Sequence, residues 1–524
     1  MKLLNGQTAG IDLGTSYSAI AQLNFSGNPV VIDNAQGKPI TPSIVSLGND
    51  GVVTVGPQYD ESLIDPERRI TAIKRQMGRH DFALVYEDKR LAPEFISAMI
   101  LKKLVQDAST AIGPIANVVI TVPYYFNEPC RAATLEAGRI AGLNVIDLIN
   151  EPTAAVLTYA WLKGDFGRLD ASFEERTVLV YDLGGGTFDV TVVRYSPTQF
   201  TVSATDGDTF LGGLDWTGRL VDHVCDGFQE KYSCDPRDDA VALMKLTDLC
   251  DQAKRELSER SQALITVEYD GRSRTFNVSR REFEAMTADL AQRTLDTTQL
   301  VLEMADINPK VLDEVILVGG STYMPVVDKM LEDLCGRRPS RALNPQIAVA
   351  QGAAIHAAMI EARETGGDGR AAHALVKRLK AVTTTDVNSH SLGVEISKAE
   401  IAGEKRNHIM IPRNTALPFA YRQQFYTTVA NPKGISIRLL EGEADDVSAC
   451  TFIGDFRIVD LPPNLPVGSP VEVTYRYDSR RRVHVTAREL TGNRHASVEI
   501  MRDSGLHKDA SGVLRQLAEE YRVE

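Results

Sequence analysis

The sequence predicts an α/β core built twice over, followed by a separate all-β module. Three observations predict it. A strand, a glycine-bearing turn and a second strand occur at Gln7 to Leu23 and again from Thr177 to Tyr195, and short apolar strands alternate with helical stretches between them. Beyond Ser391 the helical periodicity gives way to alternating strands. One unit repeated at this distance indicates a duplicated domain facing itself across a cleft.

In chain order, the first turn lies at Leu13-Gly14-Thr15-Ser16 between two strands. Asn117 to Val122 is a buried strand, Glu128 to Ala141 a helix, Val145 to Ile149 a strand and Thr153 to Trp161 a helix. The second half opens with TVLVYDLGGGTFDVTVVRY, again strand, glycine turn and strand. Asp248 to Arg260 and Glu282 to Met304 read as long helices, Glu314 to Val318 as a strand ending in Gly319-Gly320, and Ala348 to Arg363 as a small-residue helix. Thr365 to Arg370 (TGGDGR) breaks the pattern, a basic helix follows from Ala371 to Lys380, and Val382-Thr383-Thr384-Thr385-Asp386 reads as a linker. The stretches FYTTV, GISIRLL, CTFIGDFRIV, PVEVTYRYD, RRVHVTARE and HASVEIM are strands of a sandwich, with Pro-rich turns such as Leu461-Pro462-Pro463-Asn464. Gly512 to Glu524 admits one short helix. The expected division is therefore a duplicated domain at 1–380, a linker at 381–387, a β-sandwich at 388–505 and a helical tail at 506–524.

Composition narrows the function classes. The 524 residues suffice for two or three domains, and 43% hydrophobic with 24% charged residues is ordinary for a globular chain. A net charge of -13 argues against a general nucleic-acid binder, which needs a basic face. The cysteines Cys130, Cys225, Cys234, Cys250, Cys335 and Cys450 show no zinc or disulfide spacing. Met1 to Gly10 lacks the features of a signal peptide, and no apolar run approaches a membrane span. A reduced, cytoplasmic protein without a membrane partner is expected.

A backbone that closes on phosphate oxygens needs glycine, because a Cβ would hold the N–H groups away from the anion. Asp12-Leu13-Gly14 and Asp182-Leu183-Gly184 both supply it. Thr15, Ser16, Gly185, Gly186 and Thr187 extend the two cradles and add hydroxyls. Each aspartate ends a strand, where a carboxylate holds magnesium directly or through its waters. Either turn alone is an unremarkable β-turn; two in matching context point to the two phosphate-gripping halves of one ATP site.

The residues at this stage also resemble the DnaK-type heat-shock chaperones, the heat shock protein 70 family, along nearly the whole chain. The matching segments are GIDLGTSYS (10–18), TPSIV (41–45), AIKRQMGR (72–79), VVITVPYYFNEPCRAAT (118–134), AGRIAGLNVIDLINEPTAA (137–155), YDLGGGTFDVTVV (181–193), GDTFLGG (207–213), AKRELS (253–258), ILVGGSTYMP (316–325) and NPQIAVAQGAA (344–354). The resemblance implies an actin-like (ribonuclease H-like) ATPase domain and a β-sandwich that grips extended peptide. It implies Asp12 and Asp182 around Mg2+, through water, with Gly14, Thr15, Ser16, Tyr17, Gly184, Gly185, Gly186 and Thr187 on the phosphates of ATP or ADP. Lys74 and Glu151 match the family's essential lysine and glutamate, and Asp189 its remaining catalytic-site aspartate. Lys74 would stabilise charge on the transferring phosphoryl group, while Glu151 and Thr187 would position the γ-phosphate and the attacking water.

For adenosine the resemblance implies Asp251, Lys254, Arg255 and Ser258, which share one helix face at i, i+3, i+4 and i+7, together with Gly319, Gly320 and Tyr323. Without the resemblance that face reads as a solvated charged one. Tyr323 stands where the family commonly has an arginine that stacks on adenine, and Gln346 replaces its usual aspartate. In the sandwich, Val394, Phe425, Ile435 and Ile437 fall where the family lines its peptide groove, and each equally suits plain core. The family's arch positions fall at Ser397 and Thr428.

Four departures bear on function. The usual leucine linker docks on the ATPase domain; three threonines in its place forfeit roughly a few kcal/mol of apolar burial. Asp147 replaces an arginine that contacts J-domain co-chaperones, a reversal that favours a dedicated J-domain partner or none. The stretch from Arg79 to Pro93 is short, as in the HscC-like branch, and only Ala510 to Glu524 remains of the helical lid. The expectation is an ATP-regulated, ATP-hydrolysing chaperone for unfolded or extended polypeptide, with the need for a nucleotide exchange factor left open. A small-molecule kinase on the same scaffold and a nucleotide-dependent adaptor without strong peptide capture are the alternatives.

Overall fold

Branched apolar runs form the central strands of the computed structural model, which describes residues 3–4, 6–49, 51–56, 65–79, 81–82, 84–168, 173–365, 373–397, 404–478, 482–500 and 508–524. In the first half, Asn144–Asn150, Ile115–Val122 and Gln7–Asp12 lie parallel, and Tyr17–Leu23 and Pro29–Val31 continue the sheet antiparallel. The second half repeats this plan. Glu314–Val318 runs parallel to Arg176–Leu183, and Phe188–Tyr195 and Gln199–Asp208 follow antiparallel. Both glycine turns are thereby placed at the ends of central strands.

The helices Glu151–Leu162 and Ala348–Thr365 pack against each other between the two sheets, within one core that draws on both. Close approach is what their small residues provide: a Cβ at Gly352 would stand 1.9 Å from the carbonyl oxygen of Ala154. The helix expected over Glu282 to Met304 is two, Arg280–Met286 and Ala288–Met304. Ser279 and Glu282 cap the first reciprocally, and it ends at Thr287, whose backbone leaves the helical region at φ -116° and ψ 11° while its hydroxyl donates to the Phe283 carbonyl at 2.8 Å. The expected break at Thr365 to Arg370 falls largely outside the described residues, and the helix that follows is His373–Ala381.

The all-β module is a sandwich of two antiparallel sheets. One orders Lys405–Ile411, Leu392–Ser397, Ile435–Glu441 and Thr451–Ile458; the other orders Phe419–Tyr426, Pro470–Tyr477, Val483–Glu489 and Arg494–Ile500. Strand alternation turns their apolar sides toward a shared core, which Tyr475 crosses to donate to the Gly393 carbonyl at 2.7 Å.

Thr383–Thr385 docks as a parallel strand on Gln199–Asp208, pairing Thr383 with Gln199 and Thr385 with Thr201. The expected penalty for threonine assumed buried side chains. Here Thr383 is exposed and Thr384 and Thr385 only half-buried, so main-chain pairing holds the threonines while Val382 and Val387 on either side enter the core. β-branched threonine suits that extended backbone. The sandwich also touches the second half through Arg413 to Asp206 at 3.1 Å and the first through the Glu128 amide, which donates to Glu441 at 3.0 Å.

The tail, expected as a short helix over 506–524 and a lid remnant, forms the helix Lys508–Glu520, which lies on the first half of the duplicated domain, and Arg522–Val523 pairs in parallel with Val52–Val55. Leu514, Leu517, Ala518, Tyr521 and Val523 enter that half's core, and Lys102 donates to the Ala518 carbonyl at 2.5 Å.

Candidate functional site

The two glycine turns face each other across a cavity of about 610 Å³. Their contact explains the glycines: a Cβ on Gly185 would stand 2.0 Å from Ser16 Oγ, and one on Gly186 2.3 Å from Thr15 Cγ2. The Gly14 amide donates to Ser18 Oγ at 3.1 Å and the Gly184 amide to the Thr187 carbonyl at 3.0 Å, which fixes each turn internally. Asp12, Gly14, Thr15, Ser16, Tyr17, Gly184, Gly185 and Thr187 line the space, and Gly186 lies behind its neighbours.

Between the turns, buried Lys74 donates to Glu151 at 2.5 Å. Lys74 belongs to the short helical turn Ile73–Gln76, entered through Ala72 in the left-handed region, and Glu151 opens the helix Glu151–Leu162. Burial alone would lower the Lys74 ammonium, but the charges of Glu151 and Asp12 outweigh it and raise the pKa. Burial, then repulsion from Glu151, pushes Asp12 up to about 7 and holds Asp182 well above the carboxylate range. Asp189, paired in register with Asp182, is pushed up to about 7 by the same causes in the same order. Its two oxygens accept from the Tyr124 and Tyr125 amides at 3.2 Å each.

This surplus of buried negative charge fits a divalent cation. Among the described residues no group of three His, Cys, Asp or Glu side chains converges tightly enough to hold a metal directly.

At the far end of the cavity, Asp251, Lys254, Arg255, Ser258, Gly319, Gly320, Tyr323 and Gln346 come together as expected. Lys254 is turned inward: its buried ammonium donates to the Gly213 carbonyl at 2.8 Å, Thr217 at 2.9 Å and Asp251 at 2.7 Å, and burial lowers its pKa despite Asp251. Arg255 pairs with Asp251 at 2.5 Å and lies 5.2 Å from the Tyr17 ring centre, so it reaches across the cleft. Tyr323 remains 43% exposed at the rim, with Arg341 5.8 Å from its ring centre.

Arg75 was not anticipated. It donates to the Gly186 carbonyl at 2.8 Å and pairs with Asp215 at 2.5 Å, joining the segment that bears Lys74 to the opposite wall. Only its adjacency to Lys74 could have signalled it. Tyr124 and Tyr125, which hold Asp189 through their main chain, left no side-chain signal at all.

The groove candidates divide. Val394 and Ile437 are core residues, because strand alternation points them at the opposite sheet, whereas Phe425 and Ile435 are half-buried at its margin. His408 meets the Phe425 ring edge-on at 5.4 Å, and Ser397 and Thr428 are exposed. The Asp147 carboxylate accepts from His356 Nε2 at 2.8 Å.

Comparison with known proteins agrees with this geometry. The family described as Hsp70 protein matches residues 8–85 and 81–524. The chain belongs to the Hsp70 family. Chaperone protein DnaK of Thermotoga neapolitana is 37% identical over 523 residues, covering 98% of this chain and 83% of that protein. Chaperone protein DnaK of Halobacterium salinarum is 36% identical over 524 residues, covering 98% and 78%, and that of Thermosipho africanus 37% over 522 residues, covering 98% and 82%. As a member of the Hsp70 family the chain is an ATP-dependent chaperone that binds ATP and ADP with Mg2+ and hydrolyses ATP to ADP and phosphate. Among the described residues no helix is long and apolar enough to cross a membrane.

Proposed function

We propose that this Hsp70-family chaperone hydrolyses ATP within 1–380 to control capture of extended polypeptide by the sandwich at 388–505, through the linker at 381–387. The observation that supports it is the pair of glycine turns touching across the cavity with Lys74 and Glu151 between them. Lys74 stabilises charge on the transferring phosphoryl group, while Glu151, Thr187 and Asp189 orient the attacking water. Asp12 and Asp182 would hold Mg2+ through water, and the ion when bound neutralises phosphate charge. Arg255, Tyr323 and Ser258 bound the adenosine end. Phe425 and Ile435 are the half-buried apolar side chains that would meet an incoming peptide, while Val394 and Ile437 support them from the sandwich core.

Binding of a labelled extended peptide is expected in ADP and is expected to weaken when ATP is added. Absence of binding in both nucleotides would leave the adaptor reading; phosphate release matched by a phosphorylated small molecule would favour the kinase.

The short stretch from Arg79 to Pro93 supports an HscC-like, cytoplasmic role in stress, and Asp147 supports a dedicated J-domain co-chaperone of complementary charge, or none. The Asp147→Arg variant is expected to gain ATPase stimulation by a general J-domain protein, read as steady-state phosphate release with and without that partner. Stimulation equal to that of the unaltered chain would exclude charge as the obstacle.

A further inference from the structure

We infer that Tyr124 is a positioning residue that ties the docked linker to the catalytic-site carboxylate Asp189. Tyr124 is buried and anchored at both ends. Its main-chain amide donates to Asp189 Oδ2 at 3.2 Å, next to the Tyr125 amide on Oδ1. Its phenol oxygen accepts from the Val387 amide at 2.9 Å and donates to the Val387 carbonyl at 3.0 Å. One hydroxyl therefore serves both main-chain groups of the residue that follows the linker, much as a neighbouring strand would.

Asp386 closes the arrangement. Its Oδ1 lies 3.4 Å from the same phenol and accepts from Thr153 Oγ1 at 3.2 Å, within the first turn of the helix that Glu151 opens. Two routes thus run from residues 386–387 to the site: one through the Tyr124 backbone to Asp189, the other through Thr153 to the helix bearing Glu151. When the linker leaves, the phenol loses both Val387 groups, the Tyr124 main chain is released, and Asp189 is no longer held at both oxygens. Nucleotide binding by the glycine turns does not pass through Tyr124.

The inference rests on the reading of Asp189 as part of the hydrolytic site, and Asp189→Asn tests that reading separately. Wild-type turnover in Asp189→Asn would refute the reading, whatever Tyr124 does.

Tyr124→Phe in the full chain keeps the ring and the amide and removes only the hydroxyl. It is expected to lower single-turnover hydrolysis about fivefold, the size of one lost buried hydrogen bond, with KM for ATP within about twofold. Hydrogen exchange at Thr383 to Val387 should accelerate in parallel. Asp386→Ala also cuts the Thr153 route and should lose at least as much, and the double variant should fall short of the sum of the two losses, because both substitutions act on the same Tyr124 phenol. Faster linker exchange with unchanged hydrolysis, or unchanged values of both, would overturn the proposal, as would additive losses in the double variant. Should Tyr124→Phe fail to fold, Asp386→Ala must show the kcat loss with KM preserved, and a change in KM alone would overturn it.

Discussion

Lys74→Ala is expected to lower ATP turnover by roughly a hundred- to a thousandfold, the cost of removing one preorganised charge donor from an enclosed site. ATP binding should persist within a few fold. The reason is placement. Lys74 is enclosed between the two turns and bonded to Glu151 at 2.5 Å, whereas the glycine turns proposed to hold the phosphates are main-chain structures fixed by Gly14 and Gly184 contacts that do not involve it. Truncation also removes the ammonium that lowers the Asp12 and Asp182 pKa values, so burial and repulsion from Glu151 hold these two aspartates further toward the protonated form. A protonated aspartate holds a hydrated cation less well than a carboxylate, which compounds the loss. Rapid-quench hydrolysis and calorimetric ATP titration measure the two quantities separately. Undiminished single-turnover hydrolysis would show that another group neutralises the transferring phosphoryl.

What the sequence revealed of this site follows from which constraints act locally. A turn that must meet another turn at contact distance tolerates only glycine, so Gly185 and Gly186 announce themselves, and the preceding strands carry their own period-two signal. Arg75 carries no such mark, since its partners Gly186 and Asp215 are distant in the chain and any surface arginine reads the same way. The linker obeys a different constraint. Counting apolar side chains predicts weak docking for three threonines, but a parallel strand pairs through its backbone and needs only extended conformation. In the sandwich, alternation identified inward-facing residues correctly as a set without distinguishing core from groove, so Val394 and Phe425 looked alike. The break at Thr287 was hidden because threonine is a tolerable helix residue, and only its backbone, at φ -116° and ψ 11°, leaves the helical region.

The tail supplies the second large effect, because its docking site separates two functional readings. Leu514, Leu517, Ala518 and Tyr521 fall at i, i+3, i+4 and i+7, one helix face, and that face is buried against the ATPase half. Tyr521 meets Phe95 edge-on at 5.7 Å, and the following strand exchanges main-chain bonds with Gly51, Val53 and Val55 at 2.8–3.0 Å. Replacing a buried leucine by alanine costs about 2–5 kcal/mol, so Leu514→Ala with Leu517→Ala approaches the whole docking energy of so short a segment. The segment is then expected to detach as a unit, which caps the loss of global stability and places the effect in local opening. Amide exchange at Val55, Arg522 and Glu524 should accelerate at least about a hundredfold, since 1.4 kcal/mol corresponds to about tenfold and the two substitutions remove more than twice that. Val513→Ala, at an exposed position of the same helix, should leave exchange unchanged. A lid acting on bound peptide would respond otherwise: the double alanine variant would speed peptide release while Val55 kept its protection. Wild-type exchange at Val55 would therefore detach the tail from the ATPase half, whereas loss of protection there with unaltered peptide release assigns residues 508–524 to the engine's own core.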